Sequence, residues 1–280
     1  MDVTKHFQDA YPIHFHSHVI IDRVIYPNLP ITWNASPIIT EMIAPQAHLY
    51  PFLVDLRHLD SEQIPILQKM IIDSKKNGGI ILIKSHYDHN TLIYLLANAL
   101  IYAPKTGGNY LLRYYDHNVM LQLIRIIPHN HFFNKIKSLG IDFFTFHSRF
   151  GHITYLPELV ETTFNDNKNN TLALLSNIGI INKAIKKLNN DMDIATCLKV
   201  SQRLDDKITI AHHEFYLTDA NDIMSFITQC ILVHDFYYQS PQIINLLKET
   251  SQYPGYFHES LSLLSIDDWN NILAYCENTL

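Results

Sequence analysis

Four consecutive branched apolar residues, Ile80 to Ile83, restrict the fold of this chain more than any other feature. Gly78 and Gly79 precede the run and polar residues follow it, so it predicts a short strand buried in a sheet. Two further runs of this kind are His18 to Asp22 and Leu49 to Leu56. Segments with amphipathic helical spacing alternate with the strand candidates, and this order predicts an α/β layer.

The second half of the chain has a different pattern. From about residue 157 onward, apolar residues recur at helical spacing and strand signals are few. The Asn-rich run from Asn165 to Asn170 is the best linker candidate. We therefore predict an α/β (α+β) N-terminal lobe with a mixed sheet, residues 1–150, followed by an all-α C-terminal lobe, residues 151–280.

Composition excludes several classes of protein. Lys and Arg number 21 against 27 Asp and Glu, a net charge of −6, so the chain lacks the basic excess of a nucleic-acid binder. The three cysteines are far apart, which indicates a reducing compartment without a disulfide framework. No 18-residue uncharged apolar stretch and no secretion signal occur. We expect a cytoplasmic protein with neither a nucleic-acid nor a membrane partner.

A histidine cluster is the most suggestive chemical feature. On a strand, His14, His16 and His18 would share one face, and borderline metals favour imidazole ligands. A hydrolytic metal site would need further ligands at the ends of later strands. The available candidates are His86, Asp88, His117, His212 and His213. A metal-dependent hydrolase using His14, His16 and His18 is therefore the alternative function.

Motifs for other catalytic chemistry are missing. The chain has no nucleophile elbow of the Gly-x-Ser-x-Gly type, no phosphate-binding loop and no dinucleotide fingerprint. We therefore assign no catalytic residue, no metal ligand and no cofactor from these motifs.

The segment from Leu112 to Met120 carries the most information. Arg113 and Asp116 flank a predicted strand-to-helix turn and are close enough to pair, and Asp116 is placed to cap the helix. This segment predicts either a turn held by a charge pair or a rigid surface for partner binding. Tyr114 and Tyr115 are compatible with the second alternative, because Tyr and Arg are typical interface anchors.

Four segments, in this order and spacing, resemble the effector-loading adaptor (effector-chaperone) family of bacterial type VI secretion, which includes the Tap/TEC and VasW-like adaptors. The resemblance covers residues from about 18 to about 135. The family usually has Pro-Arg where this chain has His117-Asn118. The matching segments are Val19 to Asp22, Pro51 to Leu56, Gly79 to Ser85, and Leu112 to Met120, with Phe132 and Phe133 beyond them.

The resemblance implies a non-enzymatic role in the bacterial cytoplasm. Such adaptors bind a toxic effector and the C-terminal region of a VgrG spike protein, and load one onto the other before secretion. No cofactor is implied. The residues expected to form the motif or to contact a partner are Asp22, Arg113, Tyr114, Tyr115 and Asp116, together with Tyr256 and Phe257 in a predicted loop of the helical half.

Overall fold

The chain divides into two compact units in the computed structural model. One comprises residues 1–175 with 193–195, and the other comprises residues 176–192 with 196–280. The residues that the structure describes are 6–103, 108–126, 140–157, 168–188, 192–250 and 253–279. Phe132, Phe133 and the first part of the proposed linker lie outside them.

The first unit is built on antiparallel strands. Its described strands are β1 (Phe7–Asp9), β2 (His18–Ile21), β3 (Ser36–Pro37), β4 (Phe52–Asp55), β5 (Ile80–Ser85), β6 (Ile101–Tyr102), β7 (Tyr110–Leu111), β8 (Ile141–Ser148) and β9 (Gly151–Tyr155). Seven of them form one sheet in the order β1-β9-β8-β5-β2-β4-β3, and β6 pairs with β7 separately.

The N-terminal α/β lobe is confirmed, but the sheet is antiparallel at each described pair and not mixed. Strands β4 and β5 run parallel to each other, as the strand-helix-strand order predicts. They are not neighbours, however, because β2 is inserted between them and is antiparallel to both. This is a split β-α-β arrangement.

Helices account for the rest of the regular structure. They are α1 (Gln63–Asn77), α2 (His89–Ala99), α3 (His117–Ile126), α4 (Lys168–Leu188), α5 (Ile194–His213), α6 (Ala220–Leu232), α7 (Pro241–Thr250), α8 (Tyr256–Ser262) and α9 (Ile266–Thr279). The helical C-terminal lobe is thus confirmed. Strand β9 pairs with β8, so residues 151–155 belong to the sheet and not to the helical lobe. No helix in the described ranges is long and apolar enough to cross a membrane.

Strand β2 lies at the centre of the larger core. Its three apolar residues, Val19, Ile20 and Ile21, have no exposed surface. Val19 and Ile21 belong to a core cluster that also includes Leu67 and Ile71, which are one helical turn apart on α1. Full burial of such a side chain stabilises the fold by about 1.5–3 kcal/mol. The run of apolar residues therefore fixes where the strand lies.

Two glycines make the turn from α1 into β5. Gly78 has φ 73° and ψ −157°, a conformation that only glycine adopts readily, and its amide donates to the Ser74 carbonyl at 2.7 Å. A β-carbon on Gly78 would lie 2.3 Å from Nδ1 of His117. Gly79 follows with φ 86°. The turn therefore needs glycine for backbone conformation and for space.

We predict opposite effects of alanine at two glycines. Gly78→Ala should destabilise the fold by more than about 1–3 kcal/mol, because backbone strain and a clash with His117 add together. Gly179→Ala is the matched control, since Gly179 is an exposed position of α4 where an added β-carbon would have nothing within 4 Å. It should stabilise the protein by about 0.5–1 kcal/mol. Urea unfolding of both variants tests this, and equal stability of the two would contradict it.

Candidate functional site

Asp22 lies directly after β2 and is 1% exposed. Its carboxylate Oδ1 accepts a hydrogen bond from the Val24 amide at 2.9 Å, and its own amide donates to the Gly79 carbonyl at 2.8 Å. The first of these bonds closes a short turn that ends the strand. Asp22 is therefore held in place by backbone groups of Val24 and Gly79, and its second carboxylate oxygen is left for another partner.

That partner is Arg113, which is 91 positions away in the sequence. Its Nη2 lies 3.6 Å from Asp22 Oδ2, and its guanidinium carbon lies 5.5 Å from the centre of the Tyr115 ring. The Arg113 side chain is 46% exposed, whereas that of Asp22 is 1% exposed. The pair thus joins a buried carboxylate to a half-exposed guanidinium, which also contacts an aromatic ring.

Asp116 does not form the predicted ion pair with Arg113. Its Oδ1 accepts the Asn118 amide at 2.9 Å, and its carbonyl accepts the Met120 amide at 2.8 Å. The prediction that Asp116 caps the following helix is confirmed, but the ion pair of Arg113 is with Asp22. The strand before this turn covers only Tyr110 and Leu111, because after Leu111 the chain enters a turn in which the Asp116 amide donates to the Arg113 carbonyl.

The charges of this cluster act on one another. Burial raises the pKa of Asp22, and the nearby Asp116 carboxylate adds to the effect, whereas Arg113 opposes it. The pKa of Arg113 is raised even though burial works against its charge, because Tyr115, Asp116 and Asp22 all favour it. The ionised form of Asp22 therefore depends on Arg113.

Tyr114 and Tyr115 lie in the core beneath this cluster. They are 1% and 2% exposed, and the Tyr114 hydroxyl donates to the Leu96 carbonyl at 2.8 Å. Neither ring offers an open face to a partner. The surface next to them is formed by Tyr110 and Leu111 of β7, whose exposures are 43% and 41%.

The aromatic pair predicted in a loop of the helical half lies at the start of α8. Phe257 is fully buried, with its ring centre 6.3 Å from that of Phe226, and Tyr256 is half-buried. Asp222 of α6 fixes this helix start, because its two carboxylate oxygens accept the amides of Gly255 at 2.7 Å and His258 at 2.8 Å. The loop prediction is wrong here, since a carboxylate distant in sequence supplies the cap.

The three neighbouring histidines do not share one face. His14 is exposed on a 3-10 turn before β2. Nε2 of buried His16 lies 2.7 Å from Thr145 Oγ1, and its Nδ1 faces the carbonyls of Pro12 and Ile13. The strand begins only at His18. The structure therefore separates these three side chains.

His18 instead forms a cluster with Asp55 and His89, and one nitrogen or oxygen atom of each lies within 4.8 Å of the others. Register places His18, the first residue of β2, opposite Asp55, the last residue of β4. His89 is the first residue of α2, which follows β5. The sequence interpretation missed both Asp55 and His89, although Asp55 ends a predicted strand, which is where such ligands were expected.

Arg57 controls the charge of Asp55. Its Nε donates to Oδ1 at 2.9 Å and its Nη2 donates to Oδ2 at 2.6 Å. Burial would raise the pKa of Asp55, but the hydrogen bonds from Arg57 lower it to about 2. Burial lowers the pKa of His18 to about 4, with Asp55 opposing the change. At neutral pH the cluster therefore holds an ionised carboxylate and a neutral His18.

Comparison of the chain with protein-family models, with curated proteins and with solved structures finds no match.

We predict that Arg113 and Asp22 are energetically coupled. Arg113→Ala should lower the free energy of unfolding by about 1–2 kcal/mol at pH 7, because it leaves a buried carboxylate without its ion pair. Adding Asp22→Asn should recover part of this loss, since the amide oxygen can still accept the Val24 amide. A double-mutant cycle from urea unfolding measures the coupling, and additive effects would contradict it.

We also predict that the stability lost in Arg113→Ala depends on pH. A carboxyl group with a raised pKa contributes stability that is present below its unfolded pKa and is lost as pH rises through its folded pKa. The loss caused by Arg113→Ala should therefore shrink as pH is lowered from 7 toward 4. Arg203→Ala is the matched control, because Arg203 is equally exposed and pairs at 3.1 Å with the more exposed Asp235. It should cost less than about 1 kcal/mol.

Proposed function

We propose that this protein is a non-enzymatic adaptor that binds a toxic effector and the C-terminal region of a VgrG spike protein, and loads one onto the other for type VI secretion. In this proposal it acts in the bacterial cytoplasm, needs no cofactor, and contacts neither nucleic acid nor membrane. The proposal starts from the resemblance of four sequence segments to that adaptor family.

One observation carries the proposal beyond the sequence: the four segments form a single structural unit. Strands β4, β2 and β5, which form most of three of these segments, are consecutive neighbours in the sheet. The fourth segment is joined to the end of β2 by the Arg113–Asp22 ion pair at 3.6 Å. Segments that share one unit are expected to serve one task, and this supports the family resemblance.

We further propose that a partner contacts the exposed residues of this unit. Tyr114 and Tyr115 are buried and support the turn from within. Tyr110, Leu111 and Arg113 expose a large part of their side chains along the same segment. Tyr and Arg are the residue types that most often dominate binding energy at interfaces. We therefore assign partner contact to these three exposed residues.

The proposed function is tested by purifying the protein together with its bound partners and identifying them. Tagged protein purified from its own host should bring down a VgrG protein and one large effector, identified by mass spectrometry. Folded Arg113→Ala should capture at least one of them about tenfold less well, because loss of a central arginine costs roughly 1–2 kcal/mol of binding.

Arg203→Ala is the control for this experiment, since Arg203 is a half-exposed, ion-paired arginine of the helical unit. Its capture should equal that of the wild type. Recovery of the chain without a VgrG protein would overturn the adaptor proposal. If folded Arg113→Ala captured both partners fully, the adaptor function would stand, but this surface would not be the site of partner contact.

A further inference from the structure

We propose that His18, Asp55 and His89 form a binding site for a divalent transition-metal cation of borderline softness, for which Zn²⁺ is the probe. The proposal goes beyond the adaptor function and does not depend on it. It also replaces the histidine set suggested by the sequence, since His14 and His16 are not part of this cluster.

The two imidazoles have the hydrogen-bond pattern of metal ligands. Nδ1 of His18 shares a hydrogen bond of 2.9 Å with Ser17 Oγ, and Nε2 of His89 shares one of 3.0 Å with Ser36 Oγ. The other ring nitrogen of each is buried and has no hydrogen-bond partner within the described part of the chain. Metal-binding histidines characteristically have one nitrogen held by an outer partner and the other directed at the ion.

The orientation of Ser17 favours the tautomer that binds metals. Its hydroxyl accepts the Ser85 amide at 2.8 Å and is directed at the Ile83 carbonyl, 3.5 Å away. With its proton on that side, Ser17 accepts from Nδ1–H of His18. Nε2 of His18 then carries a lone pair, and the residue is fully buried.

Asp55 supplies the third ligand atom and the negative charge. Its Oδ2 lies 3.8 Å from Nε2 of His18 and keeps a lone pair besides the one that accepts from Arg57. Ligating carboxylates are themselves commonly hydrogen-bonded, and this is the relation of Arg57 to Asp55. Asp88 is also near Arg57 and His89. The two carboxylates and the one guanidinium together carry one net negative charge, which favours a cation.

The dimensions suit a small cation after a modest contraction. Ligand atoms of a tetrahedral zinc lie ~3.3 Å apart, given bonds of ~2.0–2.1 Å. The three atoms here lie within 4.8 Å of one another, so the widest separation would close by at most about 1.5 Å. Nδ1 of exposed His58 lies 3.8 Å from the same Asp55 oxygen and could take a fourth position, as could water.

Other occupants fit the cluster less well. An anion would find the Arg57 guanidinium already bound by both carboxylate oxygens of Asp55. Mg²⁺ and Ca²⁺ prefer oxygen ligands, and this site offers two nitrogens and one oxygen. Two imidazoles and a carboxylate are the set that borderline metals favour.

The test uses the full chain, freed of metal with a chelator and titrated at neutral pH. Wild-type protein should bind one equivalent of Zn²⁺ tightly by calorimetry, and Co²⁺ should give the visible absorption of a tetrahedral site. Mg²⁺ should produce neither effect. Folded His89→Asn should lose more than about 100-fold in Zn²⁺ affinity, and Ser36→Ala about 10–100-fold, because it removes only an outer partner.

His14→Ala is the matched control, since it removes an exposed histidine near His18 but outside the cluster, and its affinity should equal that of the wild type. His18 is fully buried, so His89→Asn and Asp55→Asn carry the test if His18→Gln fails to fold. No saturable uptake by the wild type would overturn the proposal. A second result would also overturn the proposal: Zn²⁺ binding that is weakened by His14→Ala but not by folded His89→Asn. It would mean an adventitious ion only.

These outcomes are independent of the partner experiment. Recovery of VgrG and an effector tests the adaptor function, whereas stoichiometry and the cobalt spectrum test the metal site. Either proposal can therefore fail while the other stands.

Discussion

Insertion of β2 between β4 and β5 is the constraint on which the rest of the first unit depends. The strand is only four residues long, and none of its three apolar residues exposes any surface. A strand buried in this way must pair on both edges, because an unpaired buried amide or carbonyl is costly. The register of β2 with its two neighbours is therefore fixed, and a slip of one residue would turn every side chain to the opposite face.

The histidine–aspartate cluster and the Arg113–Asp22 ion pair lie at the two ends of this strand. His18 begins β2 and meets Asp55 and His89, whereas Asp22 follows its last residue and meets Arg113. Four residues of extended chain separate His18 from Asp22 by roughly 13 Å. The proposed metal site and the proposed partner surface are thus held by the same short strand, one at each end.

Two buried aspartates show how neighbouring groups decide ionisation. Burial raises the pKa of Asp22 and the nearby Asp116 adds to the effect, while the single Arg113 ion pair at 3.6 Å opposes it only in part. Asp55 is also buried, yet its pKa falls to about 2, because Arg57 binds both oxygens at 2.9 and 2.6 Å. Two carboxylates with little exposed surface therefore shift in opposite directions, and the side-chain hydrogen bonds from Arg57 are the largest cause of the lowered pKa of Asp55.

The sequence by itself determined the three central strands and the helical half, but it did not identify β8 or β9. Runs of branched apolar residues identified β2, β4 and β5, and apolar periodicity identified the helical second half, because burial imposes these local patterns. Asp116 could be recognised as a helix cap, since capping acts within a few residues. The same local logic failed at Phe257, where the cap comes from Asp222, 33 positions before Gly255.

Only the tertiary structure decided which segments meet. Nothing local in the sequence showed that β2 separates β4 from β5, so the sheet was expected to be mixed. The pairing of Arg113 with Asp22 and not with Asp116, and the meeting of His18 with His89 and not with His14 and His16, follow from that strand order. Contacts between residues 70 or 90 positions apart depend on register and packing, and a single sequence does not encode these in any local pattern.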